Sequence, residues 1–174
     1  MAFVAHWLVG CFGAVMKVRF GWVATAGVLL ALGLGQAARA AGLADAFAAD
    51  ERGDYATELR LLKPLAAKDD ADAQYGLGVM YVSGHGVPQD YATAASWFRK
   101  AADQGNAFGQ NSLGAMYRDG RGVPKDDVEA YKWYNLAAAQ GDKNAAEWRD
   151  ELAARMTHSQ IAEAQKLSLA WKHK

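Results

Sequence analysis

The sequence predicts an all-α fold, a short right-handed solenoid of stacked helix pairs. Three observations predict it. Residues 71–106 laid over residues 107–142 are identical at 17 of 36 positions, and self-similarity at a fixed period marks a repeat architecture. Within each unit, apolar residues recur at the helical period, as in Ala73, Leu77, Met80 and Tyr81. The two halves of each unit are separated by the same break, Gly84-x-Gly86-Val87-Pro88 and then Gly120-x-Gly122-Val123-Pro124. Glycine supplies the left-handed residue that ends a helix, and proline forces the residue before it toward an extended conformation.

The elements follow in chain order. The first 40 of the 174 residues carry 28 apolar side chains, three basic ones and no acid. Met16-Lys17-Val18-Arg19 is a basic start, Gly21 to Leu34 is uncharged and apolar, and Ala38 and Ala40 form an A-x-A pattern. That order reads as a secretory signal peptide over 1–40, cut between Ala40 and Ala41. The apolar run is shorter than the ~20 residues of a comfortable membrane span. Residues 1–15 lack the basic start that a signal needs, so Met16 reads as the true first residue. Two alternatives use the same segment: a lipidated Cys11 after Leu8-Val9-Gly10, or an uncleaved membrane anchor.

Residues 41–70 form a degenerate first repeat. Tyr55-Ala56 stands 36 residues before Tyr91-Ala92, and Leu61, Leu62, Leu65 and Ala66 fall where Trp97, Phe98, Ala101 and Ala102 fall later. The repeat over 71–106 opens with a helix from about Asp72 to Val82 that carries Leu77, Gly78 and Tyr81. Asp90 then caps a second helix with Ala94, Trp97 and Ala101 on one stripe, and Gly105 ends it. The repeat over 107–142 does the same, with a helix from about Phe108 to Asp119 bearing Leu113, Gly114 and Tyr117. Asp126 caps its second helix, which carries Trp133 and ends at Gly141. Asn106 and Asp142 are placed to cap the following units. Gly78 and Gly114 sit inside helices, where glycine costs about 1 kcal/mol against alanine. Their recurrence predicts close approach by Trp97 or Ala101 of the partner helix. Residues 143–174 read as capping helices. Trp148 and Leu152 share a face, and Thr157 with Gln160 forms a capping box. After it, Ile161, Ala164, Leu167, Leu169 and Trp171 are expected near the inner face, with Lys166, Lys172 and Lys174 toward the end.

The string Gln74-x-x-Leu77-Gly78-x-Met80-Tyr81, then Gly84, Gly86, Val87, Pro88 and Asp90, then Ala94, Trp97 and Ala101–Gly105, recurs from Gln110 to Gly141. It resembles the Sel-one-like repeat family, relatives of the tetratricopeptide repeats. The resemblance implies an α-helical solenoid with a concave groove, used as an interaction adaptor in signalling, secretion or envelope assembly. The family often carries Asn just before the Leu-Gly pair; here that position holds Gly76 and Ser112. An Asn there would grip a peptide backbone, so the departure weighs against a peptide-clamp role.

Chemistry is sparse. Beyond residue 40 there are 16 basic and 19 acidic side chains and no cysteine. A mildly acidic body argues against nucleic-acid binding, and no disulfide or Cys-based metal site is possible there. His85, His158 and His173 have no second ligand at helical spacing. His85 reads as a solvated loop residue, since its sister position is Arg121. His158 and Ser159 are adjacent and so do not face each other on a helix. The carboxylates fall mostly at helix ends or outer faces, and no phosphate-binding loop appears. No catalytic residue, metal or cofactor is assigned. With Leu77 and Tyr81 inward, Tyr75, Val79, Val82, Asn111, Ala115 and Arg118 cluster on the exposed side of the first helices. They are the candidate partner-binding groove. The expected function is an exported, non-catalytic adaptor of the bacterial cell envelope. It would act as a monomer on a protein or peptide partner, with membrane contact only through the signal segment. The alternatives are a secreted cell-wall-active hydrolase and a glycan-binding envelope structural protein.

Overall fold

The computed structural model describes residues 36–172. The basic and apolar parts of the expected signal segment, Cys11, His173 and Lys174 lie outside them. Among the described residues every regular element is helical. They are α1 (36–51), α2 (Tyr55–Ala66), α3 (Ala71–Ser83), α4 (Tyr91–Asp103), α5 (Ala107–Asp119), α6 (Asp127–Ala139), α7 (Lys143–Ala153) and α8 (His158–Ala170). Contacts divide the chain between Ala41 and Gly42, and the second unit builds the solenoid.

Each helix starts where a side chain takes over an orphan amide. Asp70, Asn106 and Asp142 accept from the amides of Ala73, Gly109 and Ala145 at 3.0, 2.8 and 3.0 Å. Asp90 and Asp126 each accept from two amides, those of Ala92 and Thr93 and those of Val128 and Glu129. Thr157 and Gln160 form the reciprocal capping box at the start of α8. Gly84 and Gly120 end α3 and α5 with φ of 78° and 68°. The loops then lean on the preceding unit. A Cβ on Gly86 would stand 2.9 Å from the Tyr55 carbonyl oxygen, and one on Gly122 would overlap the Tyr91 carbonyl.

Consecutive helices pack against each other from α2 to α7, and three apolar clusters run through the stack. Ala46, Leu62, Ala66, Ala73, Leu77 and Met80 form the first. Ala94, Ala95, Phe98, Ala102, Leu113, Met116 and Trp133 form the second. Ala130, Tyr131, Tyr134, Ala137, Ala145, Leu152 and Ala164 form the third. Each large side chain buried there contributes about 1.5–3 kcal/mol. Between units the seams are polar. Gln104 Nε2 donates to Gln74 Oε1 and Gln140 Nε2 to Gln110 Oε1, both at 2.8 Å. Gln74 and Gln110 are fully buried. Their own amides point to the Ala66 and Ala102 carbonyls at 3.4 and 3.3 Å. The recurring glutamines of the motif are therefore a side-chain ladder, because a buried amide must find partners.

Three expectations need correction. The glycines at 78 and 114 do admit a partner helix, but the rings that approach them are Phe98 and Tyr134, not Trp97 or Ala101. The buried stripe of α4 is Ala94, Ala95, Phe98, Ala101 and Ala102, and Trp97 sits at its margin under the Lys100 ammonium at 4.1 Å. Its sister Trp133 is 2% exposed, because Trp171 packs edge-on against it at 6.3 Å. In α8 the inner face carries Ala164 and Ser168, while Leu169 is 89% exposed and Leu167 also faces out. The reason is the link. Four residues, 154–157, replace the seven-residue Gly-Pro loop, and α8 packs on α6. His85 is an exposed loop residue, as expected, and its ring stacks on that of Tyr55 at 4.1 Å, while Arg121 lies over Tyr91 at the same distance. Asp127, at the position of Tyr55 and Tyr91 one unit on, pairs with Arg155 at 3.6 Å.

Candidate functional site: a groove between α3 and α5

Stacking places α3 and α5 on the same side of the solenoid with α4 behind them. Because α3 carries Gly78 against Phe98, the Phe98 ring lies close under the space between the two helices. That space is a hollow of about 210 Å³ lined by Val79, Val82, Phe98, Ser112, Ala115, Met116 and Arg121. Val79 is 41% exposed, unusually open for a branched aliphatic side chain flanked by apolar neighbours. Toward the helix starts, the Tyr75 ring sits 5.8 Å from Phe98 and 5.7 Å from Phe108, and Phe108 is 61% exposed. Burial raises the Tyr75 phenol above its ordinary pKa, a hydrogen bond with Ser112 opposes the shift, and Asp142 adds to it. The hydroxyl is therefore a neutral group across the physiological range. Arg121 is the one ionised side chain among the lining residues.

Of the six predicted groove residues, Val79, Val82 and Ala115 meet in this hollow. Tyr75 borders it through Phe98 and Ser112. Asn111 and Arg118 turn toward the next layer instead. Asn111 Nδ2 donates to Asp142 Oδ2 at 3.2 Å. Arg118 grips Asp119 with two nitrogens, at 2.7 and 3.1 Å, and lies 4.6 Å over the Trp148 ring. The hydrogen bond holds the Arg118 guanidinium above, and the Asp119 carboxyl below, their ordinary pKa values. The face thus divides into an open apolar interval between α3 and α5, and an interval between α5 and α7 bridged by Arg118 on Trp148.

Sequence reasoning missed Phe98, Ser112, Met116, Arg121 and the exposed Phe108. One signal was present. Ser112 is the position where the resemblance leads one to expect Asn, and it stands in the wall of the hollow. Gly76, the same position one unit earlier, packs instead against Leu62, whose Cδ1 would lie 2.9 Å from an added Cβ.

The arrangement offers shape, apolar surface and one guanidinium, which suits non-covalent recognition of a chain segment. Among the described residues no group of three or more His, Cys, Asp or Glu is placed to hold a metal ion. Within the same residues no helix is long and apolar enough to cross a membrane.

Comparison with known proteins bears on this geometry. The family model described as the Sel1 repeat matches residues 71–106 and 107–142. Among solved structures, the chain is similar to a protective antigen present in uropathogenic Escherichia coli strains that displays an SLR fold. The identity is 34%, the match covers 66% of this chain and 25% of that one, and the TM-score is 0.64. It is also similar to a Sel1 repeat protein from Oxalobacter formigenes, at 43% identity over 55% of this chain and 28% of the other, with a TM-score of 0.54. The chain spans about a quarter of the length of these two structures. No curated protein matches it. Sel1 repeats are in general protein-interaction repeats, and proteins built from them are typically non-catalytic. Residues 71–142 are thus two Sel1 repeats in register, stacked as helix pairs, and the structures they resemble are SLR-fold proteins.

Proposed function

We propose that this protein is a non-catalytic adaptor that seats one segment of a protein partner in the groove between α3 and α5. The observation that carries this reading is the open apolar hollow, with Val79, Val82, Ala115 and Met116 around a Phe98 floor. Val79 is 41% exposed and Val82 and Ala115 are half-buried above the buried Phe98 and Met116, and desolvating that outer surface on a partner is favourable by about 25 cal/mol per Å². One hollow of this size receives about one large apolar side chain, so affinity is modest and comes from few contacts. The protein acts as a monomer, since a single copy presents the whole groove.

The adaptor is further proposed to work in the bacterial cell envelope after export. The basic start, apolar run and A-x-A pattern of residues 16–40 support export.

Two experiments test these points. Crosslinking in the native envelope should trap the same partner with wild type and with Leu169→Ser, a change remote from the groove. Val79→Asp should lose it while keeping the wild-type melting curve. Equal trapping by Val79→Asp removes the groove from the reading. Amino-terminal sequencing of the mature protein should begin at Ala41; a mature chain that begins at Met1 removes export.

A further inference from the structure

The first helix pair holds a charge where the later pairs hold a methyl group. Glu58 of α2 stands 36 residues before Ala94 and 72 before Ala130, both fully buried. Glu58 is itself only 7% exposed, and its Oε2 is buried with no hydrogen-bond partner. Next to it in the same layer, Leu43 and Ala46 of α1 pack with Leu62, Ala66, Leu77 and Met80. We propose that Glu58 is a proton-operated latch for α1: protonated, it is tolerated in the first layer and α1 stays docked; ionised, it drives α1 off and bares the apolar face of α2.

The surroundings favour the proton over any fixed counter-charge. From α1 the charge acting on Glu58 is Asp50, which has the same sign. On α2 and its leading turn, Arg52 and Arg60 act on Asp54, the helix cap. From α3 the residues packed in this layer are Ala73, Leu77 and Met80, which carry no charge. The His85 imidazole, from the loop after α3, is stacked on the Tyr55 ring of α2. Burial first, and Asp50 second, push the Glu58 carboxyl up from 4.5 to about 7.

The sign of the effect follows. Between the ordinary carboxyl range and about 7, docked α1 retains a proton that released α1 gives up. Docking is therefore strongest in mild acid, weakens as pH rises through that window, and levels off above it.

Hydrogen exchange of the α1 amides of residues 42–51, which lie beyond the proposed cut, from pH 5 to 8.5 and corrected for intrinsic rates, tests the latch. In wild type the opening constant should rise by up to about tenfold per pH unit, the limit for one proton released, and flatten above about 7. Glu58→Ala, the residue the later units carry, and Glu58→Gln should each give a flat profile with α1 more protected at pH 8. His85→Arg, the residue of its sister loop, should keep the wild-type rise. A flat wild-type profile, a rise that survives in Glu58→Ala, or a rise lost in His85→Arg would each overturn the proposal.

Discussion

At Asp69 the backbone has φ of 59°, the left-handed conformation that Gly105 and Gly141 take at 85° and 95° in the same repeat position. An L-residue with a Cβ is strained there, and aspartate is tolerated because its short side chain bonds locally. Its Oδ1 accepts from Gln74 Nε2 at 3.4 Å, a long contact. Asp69→Gly should therefore stabilise the protein by roughly 0.5 kcal/mol, measured by chemical denaturation; a loss of stability would mean that the Gln74 contact outweighs the strain. Gly78 gives the opposite lesson. Helix propensity alone makes Gly78→Ala stabilising by about 1 kcal/mol. Yet the added methyl would overlap the buried Phe98 ring and force it to shift. The substitution should cost about 1–3 kcal/mol net. In a Phe98→Ala background the same change should turn neutral or favourable, and a penalty that persists there would rule the ring out as the cause.

Between helices, the units are joined by amide pairs as much as by apolar surface. Gln74 is buried and Gln104 reaches it from the end of α4 at 2.8 Å. Replacing Gln104 by Leu leaves the Gln74 carbonyl oxygen without its donor, and an orphaned buried acceptor costs about 1–3 kcal/mol. The double change Gln74→Leu with Gln104→Leu should recover part of that, since neither polar atom remains. A denaturant double-mutant cycle with no coupling would show that the seam is held by shape alone. This scale also marks what the sequence made legible. The helix breaks and caps could be read because they depend on local backbone chemistry: Asp90, Asp126 and Thr157 cap as expected. The neighbours across a seam could not. Nothing in the spacing separates Trp97 from Phe98 as the ring that meets Gly78, because a 100° step leaves both on the inner half of α4. Of the groove residues, Val79, Val82 and Ala115 were legible as outward positions. Asn111 and Arg118 were not separable from them, because what turns them away is a bond to the next layer, at Asp142 and Trp148.

Across the whole solenoid, each layer touches only its neighbours, so stability is a sum of unit and interface contributions. The α4–α5 interface is the joint between the two full repeats, and it is unusually tight at one point. A Cβ on Gly109 would stand 2.8 Å from the Ala101 Cβ and 3.1 Å from the Ala102 amide nitrogen. The sister positions 73 and 145 hold alanine and are fully buried, so glycine at 109 reflects the closer approach of α4 rather than any need of α5 itself. A bulky residue there pushes α5 away from Ala101 and Ala102 of α4 and opens the joint. Gly109→Leu should therefore split one cooperative unfolding transition into two, each with a smaller denaturant slope than wild type. The layer from α5 to α8 should be the later to melt, since Trp171 and α8 seal its far end through Trp133 and α6. The groove spans this same joint, with Val79 on one side and Ala115 on the other, so partner binding should fall together with the coupling. A Gly109→Leu protein that still unfolds in a single transition of wild-type slope would show that the stack does not behave as neighbouring layers, and the additive account of its stability would have to be abandoned.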